Sequence, residues 1–265
     1  MKDKALALAA DVGDPTQKLN LLREYLQVVI LRSLHESEAW HALVFVGGTA
    51  LRLLYGLPRF SEDLDFSVND HAMYEPTSWL NKLKRDLNFA GFSCKILWNE
   101  KKTVNISWVR IGGLLFEAGL STRAEQNLSI KLEIDTHPPE GGEALQKVVT
   151  RHETFVVRHH DKASLMAGKV HALVTRPYTK GRDWYDLLWY RSQRPPVEPN
   201  LELLQNSLRQ TTEETQMHPT SDWKSLVKNR LDSIDVGEVL RDVRPFLERP
   251  EDAEFLTKEN LLSLV

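Results

Sequence analysis

Residues 16–40 carry Leu19, Leu22, Leu26, Val29, Ile30 and Leu34 at helical spacing with charges between them, which predicts an amphipathic helix. The pattern then changes. Residues 43–46 are a short apolar run stopped by Gly47 and Gly48, as expected of a buried strand entering a tight turn. Residues 49–55 follow as one or two helical turns ended by Gly56 and Pro58, and 64–68 read as a second short strand. A helix is predicted over 81–89, with Leu80, Leu83 and Leu87 as its apolar stripe. Strands are predicted over 93–98, 104–110 and 129–135, with Gly112 and Gly113 in a turn between two of them. The last strand alternates cleanly. Ile130, Leu132 and Ile134 face one way, Lys131, Glu133 and Asp135 the other.

Pro138, Pro139, Gly141 and Gly142 are expected to end the strand region. From about Asp161 the pattern is helical, over 163–176 and 183–191. A rigid linker at Pro195, Pro196 and Pro199 precedes amphipathic helices over 201–208, 223–231, 236–247 and 256–264. No internal repeat interrupts this order. The expected class is α/β (α+β), with a mixed-sheet lobe over 1–155 and a helical lobe over 156–265.

Composition narrows the chemistry. At 265 residues, with 27% charged and 42% hydrophobic positions, the chain has the make-up of a globular protein with a sizeable core. Its single cysteine, Cys94, excludes an internal disulfide and a Cys-rich zinc site, so no zinc is expected. His159 and His160 are adjacent and point apart on any regular element. The balance of 34 Lys+Arg against 37 Asp+Glu gives no bulk argument for nucleic acid. A local basic surface from Lys82, Lys84, Arg85, Lys101, Lys102, Arg191 and Arg194 stays open, although a solvated face explains most of them. No run approaches the roughly 20 apolar residues of a membrane span. Lys2 and Lys4 precede only a short Ala/Leu run, which leads into Asp11 and Asp14, so a signal peptide is not expected and the cytoplasm is.

One stretch concentrates the chemistry: Phe45-Val46-Gly47-Gly48-Thr49, then Arg59-Phe60-Ser61-Glu62-Asp63-Leu64-Asp65-Phe66. On an extended chain Ser61, Asp63 and Asp65 share a face. Two carboxylates so placed repel unless a cation sits between them, and hard oxygen ligands suit magnesium or manganese. The strand ending at Asp135 offers a third carboxylate, and three acids holding two metal ions suit in-line phosphoryl transfer. Glycines at a strand-to-helix turn let the backbone approach a phosphate, and the helix start binds anions. Thr49 offers a hydroxyl donor or a helix cap. Each motif alone is weak; their order along the chain is the stronger signal.

These residues resemble the nucleotidyltransferase superfamily, which uses a Gly-Gly or Gly-Ser turn, an Asp-x-Asp pair and a lone Asp on a later strand. More closely they resemble the AbiEii/AbiGii toxins of type IV toxin–antitoxin and abortive-infection systems. Gly47 to Arg52 and Arg59 to Phe66 match that branch's first motif. Lys169-Val170-His171-Ala172-Leu173 and Arg182-Asp183-Trp184-Tyr185-Asp186-Leu187 match its later helices. The resemblance covers residues 43–189 and implies a nucleotidyltransferase-like fold. It also implies an NTP substrate, magnesium, an RNA or tRNA 3′ end as acceptor, and a cognate antitoxin encoded nearby.

On this reading Asp63, Asp65 and Asp135 are metal ligands and catalytic residues. Gly47, Gly48, Thr49, Arg59, Ser61 and Lys169 bind the nucleotide. Lys169, which interrupts the stripe of Leu165 and Leu173, reaches the phosphates, and Asp186 joins the catalytic set. Arg52 and Asp183 are expected to be structural, with Arg182 and Asp186 spaced for a helix ion pair. Phosphorylation of Ser61 would add about two negative charges beside the carboxylates and repel metal and nucleotide. Three alternatives stand beside this reading: a small-molecule nucleotidyltransferase, a protein nucleotidyltransferase, and a non-catalytic GTP- or ATP-binding module.

Overall fold

The computed structural model describes residues 1–100, 102–211 and 220–265; Lys101, one of the expected surface cations, lies outside the described residues. They form two compact units, one of Met1–Gly56, Phe60–His137 and Gln146–His159, the other of Leu57–Arg59, Pro138–Leu145 and His160–Val265. No helix among them is long and apolar enough to cross a membrane.

A mixed seven-stranded sheet runs through the first unit. Its strands are β1 (Leu43–Val46), β2 (Leu64–Val68), β3 (Ser93–Asn99), β4 (Val104–Gly112), β5 (Leu128–Asp135), β6 (Ala144–Val149) and β7 (Phe155–His160), in the spatial order β3-β4-β5-β2-β1-β7-β6. β1 pairs antiparallel with β2, whereas β2 pairs parallel with β5 and β1 parallel with β7. The alternation read in the sequence is the burial observed. Ile130, Leu132 and Ile134 of β5 are buried, while Lys131, Glu133 and Asp135 lie on a half-exposed face. Among the described residues this unit carries the α-helices α1 (Lys2–Ala10), α2 (Pro15–Glu36), α3 (Gly47–Tyr55), α4 (Pro76–Phe89) and α5 (Leu114–Glu117).

The strands extend past Pro138 and Gly142, where they were expected to end. β6 is mostly exposed and shows no alternation, so periodicity had nothing to detect. β7 did carry the signal: Phe155, Val157 and His159 alternate and are buried. His159 is thus a buried core position, and does more than point away from His160.

α2 begins where Asp14 accepts a hydrogen bond from the Gln17 N–H (2.7 Å), with Pro15 at the first helical position. Its apolar face carries Tyr25, Leu26 and Ile30 into the core. A second face, Asn20, Glu24 and Gln27, is polar and also buried. Glu24 takes Arg52 Nε on one oxygen (2.5 Å), and Arg151 Nε (2.5 Å) and the His152 ring (3.4 Å) on the other. Burial alone pushes the Glu24 carboxyl up; His152, Arg52 and Arg151 outweigh it and hold it down to about 2.

The second unit is helical: α6 (Lys162–Thr175), α7 (Gly181–Ser192), α8 (Leu201–Thr211), α9 (Trp223–Asp232), α10 (Val236–Val243) and α11 (Lys258–Ser263). Asp161 caps α6 by accepting from the Ser164 N–H (2.7 Å). Leu165, Met166, Val170, Trp184, Leu187, Tyr190 and Val227 form its core. Gly181 sets the approach of α7 to α10. A Cβ there would lie 2.1 Å from the Val239 carbonyl oxygen, so backbone meets backbone.

Both units store stability that acid removes. Glu24 has its folded pKa lowered from 4.5 to about 2. Asp183 of α7 is lowered from 3.8 to about 2, because Lys169 and Arg176 outweigh its burial. Carboxyls depressed in this way contribute fully above their unfolded pKa values and lose the contribution as pH falls through the folded ones. At 1.36 kcal/mol per unit this is about 3 kcal/mol for Glu24 and about 2 kcal/mol for Asp183. Urea midpoints are therefore expected to fall steeply from about pH 4.5 toward pH 2. Glu24→Gln should flatten the first unit's part of that slope.

Candidate active site

β1 delivers the chain to Gly47, whose φ of +78° is a left-handed value that favours glycine. α3 starts there, and the residue before it supplies no side-chain cap; N–H groups at a helix start are of the kind that bind anions. Asp65 lies directly against this turn. It is the register partner of Val46, and a Cβ on Gly47 would stand 2.1 Å from Asp65 Oδ2. Thr49 is fully buried, and its hydroxyl donates to the Asp63 carbonyl (2.5 Å). Turn and acidic segment are thus tied at two points.

α2 and α3 hold the segment before β2. Gln27 Nε2 donates to the Ser61 carbonyl (3.0 Å), Arg23 reaches Glu62 (3.6 Å), and the Arg52 guanidinium lies over the Phe60 ring (4.2 Å). Ser61 and Asp63 are left half-buried beside Asp65. The buried polar face of α2 is therefore a bracket for this segment. That bracket is not legible in the sequence, where a glutamate and a glutamine within a helical stripe look like ordinary surface positions.

The parallel register of β2 and β5 decides which later carboxylate lies beside Asp65. Asp65 lies opposite Glu133, and Asp135 lies opposite Ser67, about 7 Å further along the sheet. Asp135 Oδ1 accepts from the His137 N–H (2.9 Å), capping the turn after β5. Glu133 pairs with Lys131 at 2.8 Å. Burial opposes the charge on Lys131, but Glu133, Asp63 and Asp65 outweigh it and raise its pKa. Lys131 thus stands in the field of all three carboxylates.

Among the described residues no three His, Cys, Asp or Glu side chains converge closely enough to hold a metal ion. The donor set still fits a hard divalent cation in kind. Asp63, Asp65 and Glu133 offer oxygen ligands on one half-exposed face, and a lysine ammonium already answers their charge there.

The second unit gathers the remaining expected residues into a buried ion cluster. Arg59 is 1% exposed and grips Asp186 with Nε and Nη2, both at 2.6 Å. Lys169 reaches Asp186 at 2.7 Å and Asp183 at 2.8 Å, and Arg176 pairs with Asp183 as well. Burial alone would lower Arg59 and Lys169, yet the aspartates raise both pKa values. Three cations thus face two carboxylates. Lys180 is pushed down by burial and by Arg182, and among the described residues it forms no ion pair. Arg182 itself reaches Asp242 (4.0 Å) and lies over the Phe246 ring.

A family model described as nucleotidyl transferase AbiEii toxin, type IV TA system, matches residues 29–258. A crystal structure of a candidate nucleotidyltransferase from H. pylori aligns with a TM-score of 0.53 at 20% identity, over 88% of this chain and 92% of that one, which shows a shared fold. The crystal structure of JHP933 from Helicobacter pylori aligns with a TM-score of 0.49 at 20% identity, over 92% of each chain. No curated protein matches the sequence.

Proposed function

This chain belongs to the AbiEii nucleotidyltransferase toxin family, and from that premise we propose a magnesium-dependent enzyme that transfers a nucleoside monophosphate from an NTP to an RNA 3′ end, inhibiting growth. The family makes it a nucleotidyltransferase toxin and implies an NTP substrate and an antitoxin partner. One observation carries the mechanism: the Gly47 turn lies against the Asp65 carboxylate, so a phosphate-binding backbone and an acidic group meet at one point.

Asp63 and Asp65 would hold the cation, with Glu133 drawn in as a third oxygen ligand when it binds. When bound, magnesium would neutralise the phosphates and polarise the α-phosphoryl group. The N–H groups from Gly47 to Thr49 receive the phosphate oxygens, while the Thr49 hydroxyl, bonded to Asp63, fixes the acidic segment rather than the nucleotide. The acceptor oxygen bonds to the α-phosphorus, the bond to the bridging oxygen breaks, and pyrophosphate leaves. A carboxylate of this face would accept the hydroxyl proton.

Glu133 takes the role expected of Asp135 in this proposal, because it is the register neighbour of Asp65. Arg59 serves by fixing Asp186, since its guanidinium is committed there. Lys169 stays within the ion cluster of the second unit, bonded to Asp183 and Asp186.

The acceptor is tested with each labelled NTP, magnesium and total cell extract. Label is expected in the RNA fraction, removable by ribonuclease. Label confined to protein or to small molecules contradicts the RNA assignment.

A further inference from the structure

The strand registers arrange the open face of the sheet in rows. Asp65 of β2 lies opposite Glu133 of β5, which lies opposite Ile106 of β4. One row along, Lys131 lies opposite Trp108, and Trp108 opposite Leu97 of β3. Beyond them Arg110 lies opposite Lys95. The face is therefore acidic at β2 and β5, and aromatic and basic at β4 and β3.

An in-line displacement puts entering and leaving oxygens on opposite sides of the phosphorus. The Gly47 turn follows β1, on one side of β2, while β5, β4 and β3 extend on the other. If the turn holds the departing pyrophosphate, the acceptor arrives across β5. Strands stand about 4.8 Å apart, so β4 and β3 lie about 10 and 14 Å from β2.

What lies on that side has the wrong composition for idle surface. Trp108 is 38% and Leu97 48% exposed, and Lys131 Nζ stands 5.9 Å from the Trp108 ring centroid. Lys95 and Arg110 are exposed and directly opposite each other, and like charges so paired destabilise a sheet. Among the described residues neither forms a side-chain hydrogen bond or ion pair, so nothing described in the fold offsets that repulsion. A polyanion would. An exposed aromatic ring with basic groups alongside is the arrangement on which single-stranded bases stack while their phosphates are held.

We propose that the open face of β3, β4 and β5 seats the single-stranded 3′ segment of a nucleic-acid acceptor, with a base on Trp108 and phosphates on Lys95 and Arg110. The direction of approach rests on the nucleotidyl-transfer reading; the charge and ring arrangement does not.

The test measures anisotropy of a labelled short single-stranded RNA with the full chain. Trp108→Ala is expected to weaken binding about tenfold. Lys95→Glu replaces a repelling cross-strand pair with an attracting one, so its thermal midpoint should hold or rise while RNA affinity drops. Its salt slope should shrink by about 0.7 for the lost phosphate contact. Should Trp108→Ala fail to fold, Lys95→Glu decides the matter. Unchanged RNA affinity in the folded variants overturns the platform, even if the wild-type chain labels RNA. Affinity lost in the variants, with a wild-type chain that labels nothing, upholds the platform and removes the transfer reading instead.

Discussion

Gly47→Ala is expected to cut nucleotidyl transfer by about 100-fold or more while the chain stays folded. The effect has two parts. An alanine at φ +78° carries a left-handed backbone cost of about 1–2 kcal/mol, which a folded domain can absorb. The added Cβ would also stand 2.1 Å from Asp65 Oδ2 and 2.9 Å from Asp65 Cγ, so something must move. The easier group to move is the end of a side chain, so the Asp65 carboxylate swings away from the turn. A misplacement of about 1 Å at a reacting centre is enough for a hundredfold loss.

Gly168→Ala is the control. It lies within α6 with open space where a Cβ would go, so alanine there should add about 0.5–1 kcal/mol of stability and leave transfer unchanged. Assaying the two variants together, with thermal melts, separates a displaced carboxylate from a weakened fold. Near-normal transfer by Gly47→Ala would mean that the turn and Asp65 do not work as one unit.

Much of this site was legible because its parts are close in sequence. An apolar run ending in two glycines, a short helix and an acidic strand each leave a local mark, and 43–46 and 64–68 appear in the structure with the boundaries read. Which carboxylate of β5 lies opposite Asp65 was not legible. Glu133 and Asp135 share a face in any strand, and only the pairing of β5 with β2 distinguishes them. Periodicity carries no information about register between strands more than 60 residues apart.

Arg59 illustrates another gap. A basic residue before an acidic strand suggests a phosphate contact, yet its partner is Asp186, 127 positions away in sequence. The platform of Trp108, Lys95 and Arg110 was hidden for the same reason, since cross-strand neighbours are scattered along the chain. Net charge concealed it too, because basic and acidic ends of one sheet face cancel in a sum of -3.

The central claim is that Asp63 and Asp65 carry nucleotidyl transfer. On the proposed metal-dependent mechanism, removing one carboxylate of the pair forfeits several kcal/mol of transition-state stabilisation, more than about 100-fold in rate. Asp63 is half-exposed and its buried neighbour Thr49 bonds to its backbone carbonyl, so an alanine keeps that contact and should fold normally. The direct measurement is transfer of label from an α-labelled NTP by the Asp63→Ala protein, beside wild type, with folding checked by circular dichroism. Label incorporated by wild type and lost from folded Asp63→Ala is the result predicted. Equal incorporation by the two proteins would contradict the account.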